Sequence, residues 1–271
     1  YFFYTPFLSE ENLELVTIEQ ELRFVVGSNQ LELFLQPQID IKKCEIVGAE
    51  VLLRWNHPIH GIISPMKFIP IAEDTGLIVP IGEWVIDQAC KFQRRLQDMG
   101  VHLRVGINIS PYQFTKGNLF ETVTRKVEEY KLEPTNLELE LTESLLLSNE
   151  ESIKKIFNSF DNFGVSMSID DFGVGYSNFG YIKKFPVDRI KIDRMFVSDI
   201  ETDESDRTLI KSIIKMAHEM DLQVIAEGVE TKEQLDFLRT FDCDEVQGYY
   251  FTRPVPFDYF INYYRQFESN H

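Results

Sequence analysis

The chain has 271 residues, 44% hydrophobic and 26% charged, which excludes disorder and collagen-like fibres and is long enough to bury a sizeable core without disulfides or metal staples. Lys and Arg number 27 against 44 Asp and Glu, and the net charge of −17 argues against non-specific binding to a nucleic-acid polymer or an anionic membrane. No run approaches the ~18 apolar residues of a membrane span, so no membrane contact is expected from this segment. The cysteines Cys44, Cys90 and Cys243 are scattered, odd in number and without zinc spacing, so a reducing, cytoplasmic setting is expected. The opening Tyr1-Phe2-Phe3-Tyr4-Thr5-Pro6 has neither Met nor a basic leader, so residues 1–16 read as a lead-in from a longer polypeptide and 17–271 as one domain.

Apolar residues at helical spacing predict a first helix from Glu10 to Val26, stopped by Gly27. A strand through Phe34 and Leu35 ends at Asp40, and a second runs from Ile46 to Trp55. The connection is too short for a parallel crossover, so these two strands should be antiparallel neighbours. Ser64-Pro65 reads as a helix start. Ile81 to Met99 forms an amphipathic helix stopped by Gly100, followed by a strand from Leu103 to Ile109. The rhythm repeats: helix Leu119–Tyr130, strand Leu137–Leu141, helix Ile153–Phe160 with Gly164 beyond it, strands Val165–Ile169 and Val187–Ile192, and helix Leu209–Ala217. Strand Leu222–Ala226, a helix opened by the capping box Thr231/Gln234, and a short strand at Glu245–Gln247 close the series. About eight strands alternating with helices over roughly 240 residues predict an α/β barrel.

Such barrels place chemistry at the C-terminal ends of their strands. The runs here end in or carry Glu50, Asn108, Glu140, Asp170-Asp171, Lys191, Glu227 and Gln247. Charges inside apolar runs are costly unless paired or metal-bound. Five carboxylates against one lysine leave a cluster charge of −4, which two divalent cations would balance. Oxygen donors suit Mg²⁺ or Mn²⁺ better than Zn²⁺, and a two-metal site suits phosphoryl transfer.

The chain from Leu31 to Pro256 resembles the EAL family of cyclic-di-GMP phosphodiesterases. The motifs, in order, are Gln36-Pro37; Glu50-Val51-Leu52-Leu53-Arg54-Trp55; Asn108-Ile109-Ser110; Glu140-Leu141-Thr142-Glu143-Ser144; Asp170-Asp171-Phe172-Gly173 with Gly175-Tyr176-Ser177; Lys191-Ile192-Asp193; Glu227-Gly228-Val229-Glu230; and Gln247-Gly248-Tyr249. The resemblance implies a modified TIM barrel with one antiparallel strand and hydrolysis of cyclic di-GMP to linear pGpG, supported by Mg²⁺ or Mn²⁺ and inhibited by Ca²⁺. It implies metal ligation by Glu50, Asn108, Glu140 and Asp170, with Asp171 and Glu227 completing the set. Lys191 would orient or activate the attacking water, and Gln247 would hold it or a ligand. Arg54 would grip a phosphate, and Gln36, Leu52, Asp193 and Glu230 would line the substrate groove. Glu143 would brace the loop after Asp171, which the family couples to a homodimer interface.

Some positions depart from the family pattern. Val51 replaces an alanine, Val174 a threonine and Asn178 a serine, the last two bearing on loop stability. Leu35 replaces a tyrosine, with an effect expected on groove shape. His57 and His60 flank Pro58 without a metal pattern and read as loop or surface packing; His102, His218 and His271 carry no partner signal. The acidic run Asp199–Asp206 reads as a solvated loop. The alternatives to an active phosphodiesterase are a cyclic-di-GMP receptor that does not cleave, favoured only by Val174, and a vestigial scaffold.

Overall fold

The computed structural model describes residues 16–146, 150–174 and 179–270. Ten strands make one sheet: β1 (Leu31–Asp40), β2 (Glu45–His57), β3 (Gly61–Ile63), β4 (Arg104–Ile109), β5 (Leu137–Thr142), β6 (Ser166–Phe172), β7 (Arg189–Ile192), β8 (Gln223–Ala226), β9 (Glu245–Val246) and β10 (Val255–Pro256). Neighbours from β2 through β4, β5, β6, β7 and β8 to β9 are parallel, and β1 closes the barrel by pairing antiparallel with both β2 and β9. The barrel therefore has eight strands, one of them reversed, while β3 and β10 extend its rim.

The reversal follows from the tight turn after β1. Asp40 Oδ1 accepts the backbone N–H groups of Lys42 and Lys43, both at 2.9 Å, and Cys44 takes a left-handed φ of 57°. That geometry returns the chain at once, as a two-stranded antiparallel pair requires.

Strand alternation then sorts the side chains. Leu35, Val51, Ile107, Leu139, Leu141, Ile169, Ile190 and Ile192 point away from the barrel axis and are buried in the apolar layer under the helices. Their neighbours Gln36, Glu50, Asn108, Glu140 and Lys191 face the interior. Leu35 is fully buried on the face opposite Gln36, so its exchange for tyrosine concerns the barrel–helix core, contrary to the effect on groove shape expected from sequence.

Other expectations needed revision. The first helix is seen over 16–22 and gives way to turns through residue 29, with Gly27 at φ 92° inside them; residues 10–15 lie outside the described range. Strand β6 runs on through Asp170 and Asp171 to Phe172. Part of the acidic run is a helix start: Asp203 caps helix Glu204–His218 by accepting from the N–H groups of Ser205 and Asp206, and Glu204 and Asp206 lie in its first turn. Carboxylates there complement the helix dipole, an alternative to simple solvation. The sequence reading also missed helix Phe257–Asn270, whose Phe257, Phe260 and Ile261 are buried. His57 is buried, and its Nδ1 accepts from the N–H groups of Ile59 and His60, shaping the β2–β3 turn. No helix among the described residues is long and apolar enough to cross a membrane.

The capping box is formed as the sequence predicts: Thr231 accepts from Gln234 N, and Gln234 reaches back to Thr231 N. Thr231→Ala is expected to lower stability by about 1 kcal/mol, measured as a shift in urea midpoint at unchanged m-value.

Candidate active site

Lys191 organises the mouth of the barrel. Its side chain is fully buried, and Nζ lies 2.5 Å from Glu140 Oε2, 2.7 Å from Glu227 Oε1, 3.2 Å from Asp170 Oδ1 and 3.6 Å from Glu50 Oε2. Four strands or strand ends, β2, β5, β6 and the residue after β8, thus converge on one ammonium. Around this centre Asn108 Nδ2 donates to Glu50 Oε1 at 2.5 Å, and Gln247 Nε2 donates to Glu50 Oε2 at 2.5 Å and to Gln36 Oε1 at 3.1 Å. The backbone fixes the last two positions by continuing the sheet: Glu227 N donates to Ile192 O and Gln247 N to Ala226 O.

Glycine gives the ring room. A Cβ on Gly106 of β4 would fall on Glu140 Oε1, so the missing side chain leaves space for that carboxylate where it lies. The paired aspartates use a different device. The β6–β7 register shifts between Ile169 and Phe172, and Asp171 takes a left-handed φ of 54° while its N–H donates to Asp170 Oδ1 at 3.0 Å. A regular strand would send consecutive side chains to opposite faces; the irregularity lets Asp171 line the same cavity as Asn108, Glu140 and Thr142.

The electrostatics follow from burial. Glu140 is pushed well above the usual carboxylate range by burial, partly offset by Lys191 and reinforced by Glu50, Asp170 and Glu138. Glu227 is raised to about 8, mainly by burial. Asp171 is raised to about 6 by burial and by the nearby carboxylates of Asp170 and Asp193. Burial pulls Lys191 down, but Asp170, Glu140, Glu227 and Glu50 outweigh it and hold the ammonium charged, well above its ordinary value.

Two clefts flank the ring. One, of about 380 Å³, runs past Leu52, Arg54, Met66, Pro70 and Pro111 to Asn108, Glu140 and Asp171. The other, of about 200 Å³, is lined by Gln36, Glu50, Leu52, Glu227, Glu230 and Gln247, with Arg194 and Tyr249. Leu52 is the wedge common to both. Arg54 donates to Leu53 O at 2.9 Å and lies 5.6 Å over the Phe34 ring. Asp193 serves as a helix cap, accepting from Met195 N at 2.7 Å, and Glu230 pairs with Arg194 at 3.2 Å. Glu143 is buried just beyond β5; residues 175–178 of the loop it was expected to brace, Asn178 included, lie outside the described range.

Arg194 and Tyr249 were missed from sequence. A signal existed for Arg194: it sits beside Asp193 in a motif, and Gly228 at φ 70° lacks the Cβ that would strike its side-chain stem.

The donor set fits hard divalent cations. It is built of carboxylate and amide oxygens, and the buried Glu140 Oε1 and Gln247 Oε1 have no hydrogen-bond partner among the described residues. Glu21, His57 and His60 also bring potential ligand atoms within 4.8 Å of one another. There, however, two backbone N–H groups occupy His57 Nδ1, so its proton sits on Nε2, facing Glu21 at 2.9 Å. That tautomer blocks ligation through Nε2.

Comparison with known proteins adds the following. The family profile described as "EAL domain" matches residues 19–254. The signaling protein YkoW of Bacillus subtilis is 42% identical over 92% of this chain and 32% of its own length. The bifunctional diguanylate cyclase/cyclic di-GMP phosphodiesterase MucR of Pseudomonas aeruginosa is 37% identical over 94% of this chain and 38% of its own. The chain thus spans about a third of the length of these curated relatives. Among solved structures, the MucR phosphodiesterase in complex with c-di-GMP superposes with a TM-score of 0.87 at 38% identity, covering 90% of this chain and 99% of that one.

Because Glu227 binds its proton more tightly when folded, the native state holds more protons than the unfolded chain between the ordinary value of 4.5 and about 8. The stability that Glu227 contributes should therefore be fully present below that window and be lost as pH rises through it. Thermal melts in EDTA are expected to show this decline in the wild type and a shallower one in Glu227→Gln. Equal slopes would contradict the assignment.

Proposed function

The chain belongs to the EAL domain family, and from that premise we propose that it hydrolyses one phosphodiester bond of cyclic di-GMP to give linear pGpG. The observation that carries this reading is the carboxylate ring around Lys191, open on both sides to clefts that meet at Leu52. A cyclic dinucleotide has two nucleosides either side of its phosphates, and the two clefts offer each a place.

In this reading Glu50, Asn108, Glu140 and Asp170, with Asp171 and Glu227, hold two Mg²⁺ or Mn²⁺ ions. When bound, these ions supply Lewis acidity at the phosphate and acidify a nearby water. Arg54, at the edge of the larger cleft, binds a non-bridging phosphate oxygen through its planar fork. Gln247 fixes the orientation of Glu50 by donating to Oε2, while Asn108 donates to Oε1. Lys191, in contact with Glu140, Asp170 and Glu227, would orient the attacking water by donating a hydrogen bond to it. Gln36 and Glu230 line the path of the second nucleoside, Asp193 stands beside Asp171 outside both clefts, and Glu143 supports the loop after Asp171. A homodimer belongs to the same reading.

Incubation with cyclic di-GMP and Mg²⁺ or Mn²⁺ is expected to yield pGpG, and EDTA to abolish it. Glu50→Ala should lower turnover by about 100-fold or more. Ca²⁺, also an oxygen-seeking ion, should permit binding with little turnover. Binding without cleavage in Mg²⁺ and Mn²⁺ alike would make the domain a receptor instead.

Arg54→Ala is expected to reduce kcat/KM by roughly 10- to 100-fold, the worth of a hydrogen bond to a charged group, with the metal requirement unchanged in a titration of activity against Mn²⁺.

A further inference from the structure

A second layer of charge lies directly beneath the first. Glu138 and Arg189 each sit two residues before a mouth residue on the same strand, under Glu140 and Lys191, Glu245 sits two before Gln247, which directly follows β9, and Gln38 sits two after Gln36 on the reversed β1. Residues two apart share a face of a strand, so each pair is stacked along the barrel axis. Arg104 joins from the base of β4, four residues before Asn108.

These five side chains bond to one another across the barrel. Arg104 Nη2 meets Glu245 Oε2 at 2.5 Å and Gln38 Oε1 at 2.8 Å, and its Nε lies 3.4 Å from Glu138 Oε2. Arg189 Nη1 donates to the same Glu138 oxygen at 2.6 Å, and its Nε lies 3.7 Å from Glu245 Oε1. Two arginines alternate with two glutamates, so the layer is neutral. Its side chains are between 0% and 13% exposed. Gly48 of β2 makes the room, since a Cβ there would lie 2.6 Å from Gln38 Oε1.

An apolar plug would fill this space at less electrostatic cost, because replacing buried ion pairs by well-packed hydrophobic groups is often neutral or stabilising. What the ionic layer adds is direction. Planar guanidinium forks admit few arrangements of their carboxylate partners. They therefore tie β4, β5, β7, β9 and β1 at fixed heights relative to one another. We propose that Glu138, Arg104, Arg189 and Glu245 are positioning residues that set the axial register of Glu140, Lys191 and Gln247 above them. None of the four lines either cleft. The proposal rests on the hydrolytic reading only for its kinetic consequence; the placement of Lys191 is open to direct measurement.

The test compares the wild type, Glu138→Gln, and the double variant Glu138→Gln/Arg189→Gln, which restores neutrality. Readouts are kcat and KM for cyclic di-GMP, and the ¹⁵N resonance of the Lys191 ammonium in metal-free protein. Expected for the single variant are a fall in kcat of about 10-fold or more, since displacements of ~1 Å at a reacting centre cost up to ~100-fold, a KM within about twofold of wild type, and a displaced Lys191 resonance. The double variant should recover part of both. A single variant that merely melts earlier, with wild-type kcat and an unmoved resonance, overturns the proposal. If Glu138→Gln does not fold, Arg189→Lys, which keeps the charge and loses the fork, is read in the same way. Should the wild type not hydrolyse cyclic di-GMP, the activity reading fails and the Lys191 resonance alone decides this one.

Discussion

The contact on which the site depends is the buried ammonium of Lys191 among four carboxylates. Removing any of these ions from water costs several kcal/mol, and only close opposite charge offsets that. One lysine cannot balance four acids. The shortfall appears as the raised proton affinities of Glu140 and Glu227, both driven first by burial. The ring relieves its charge in part by taking up protons, and the cations of the proposed function would relieve it in a second way. In the proposed reading both would use the same oxygens, so proton release would accompany cation uptake.

The barrel makes so concentrated a charge tolerable by layering. Beneath Lys191 the interior is neutral and internally paired through Arg104, Glu138, Arg189 and Glu245. Above it lies the acidic ring and then the clefts. Charge imbalance is confined to the end of the barrel where the clefts lie, while the layer beneath is self-compensating. Glycines at 48 and 106 serve both layers, each vacating the volume that a polar side chain from the next strand occupies. In a small barrel whose interior is filled by side chains, such exchanges of volume between strands are the means by which long polar groups fit.

Much of this was legible in the sequence because a charge within an apolar run is conspicuous. Glu50, Glu140 and Lys191 stood out for that reason, and the short connection after Asp40 revealed the reversed strand. Depth was not legible. In Leu137-Glu138-Leu139-Glu140-Leu141 the two glutamates are equivalent as pattern, yet one reaches the mouth and the other the pedestal. Only the register with β4 and β6 separates them, and alternation of period two carries no information on height along the strand. Arg194 and Tyr249 escaped for another reason: they lie beyond strand ends, where period-two alternation no longer marks which side chains face the cleft.

Asp171 shows where local rules yield to the site. Two consecutive acids on a regular strand would face opposite ways, and only one could serve the ring. The chain instead breaks register after Ile169 and puts a non-glycine residue at φ 54°, a conformation that typically costs 1 kcal/mol or more. Aspartate is among the few residues that tolerate it. Next in the chain, Phe172 is fully buried, and Gly173 at φ 103° leaves no Cβ to strike Phe196. The strain is thus anchored from its C-terminal side by packing, so the backbone cannot relax it by sliding the strand. A strand end held in this way keeps Asp171 at the mouth beside Asp170.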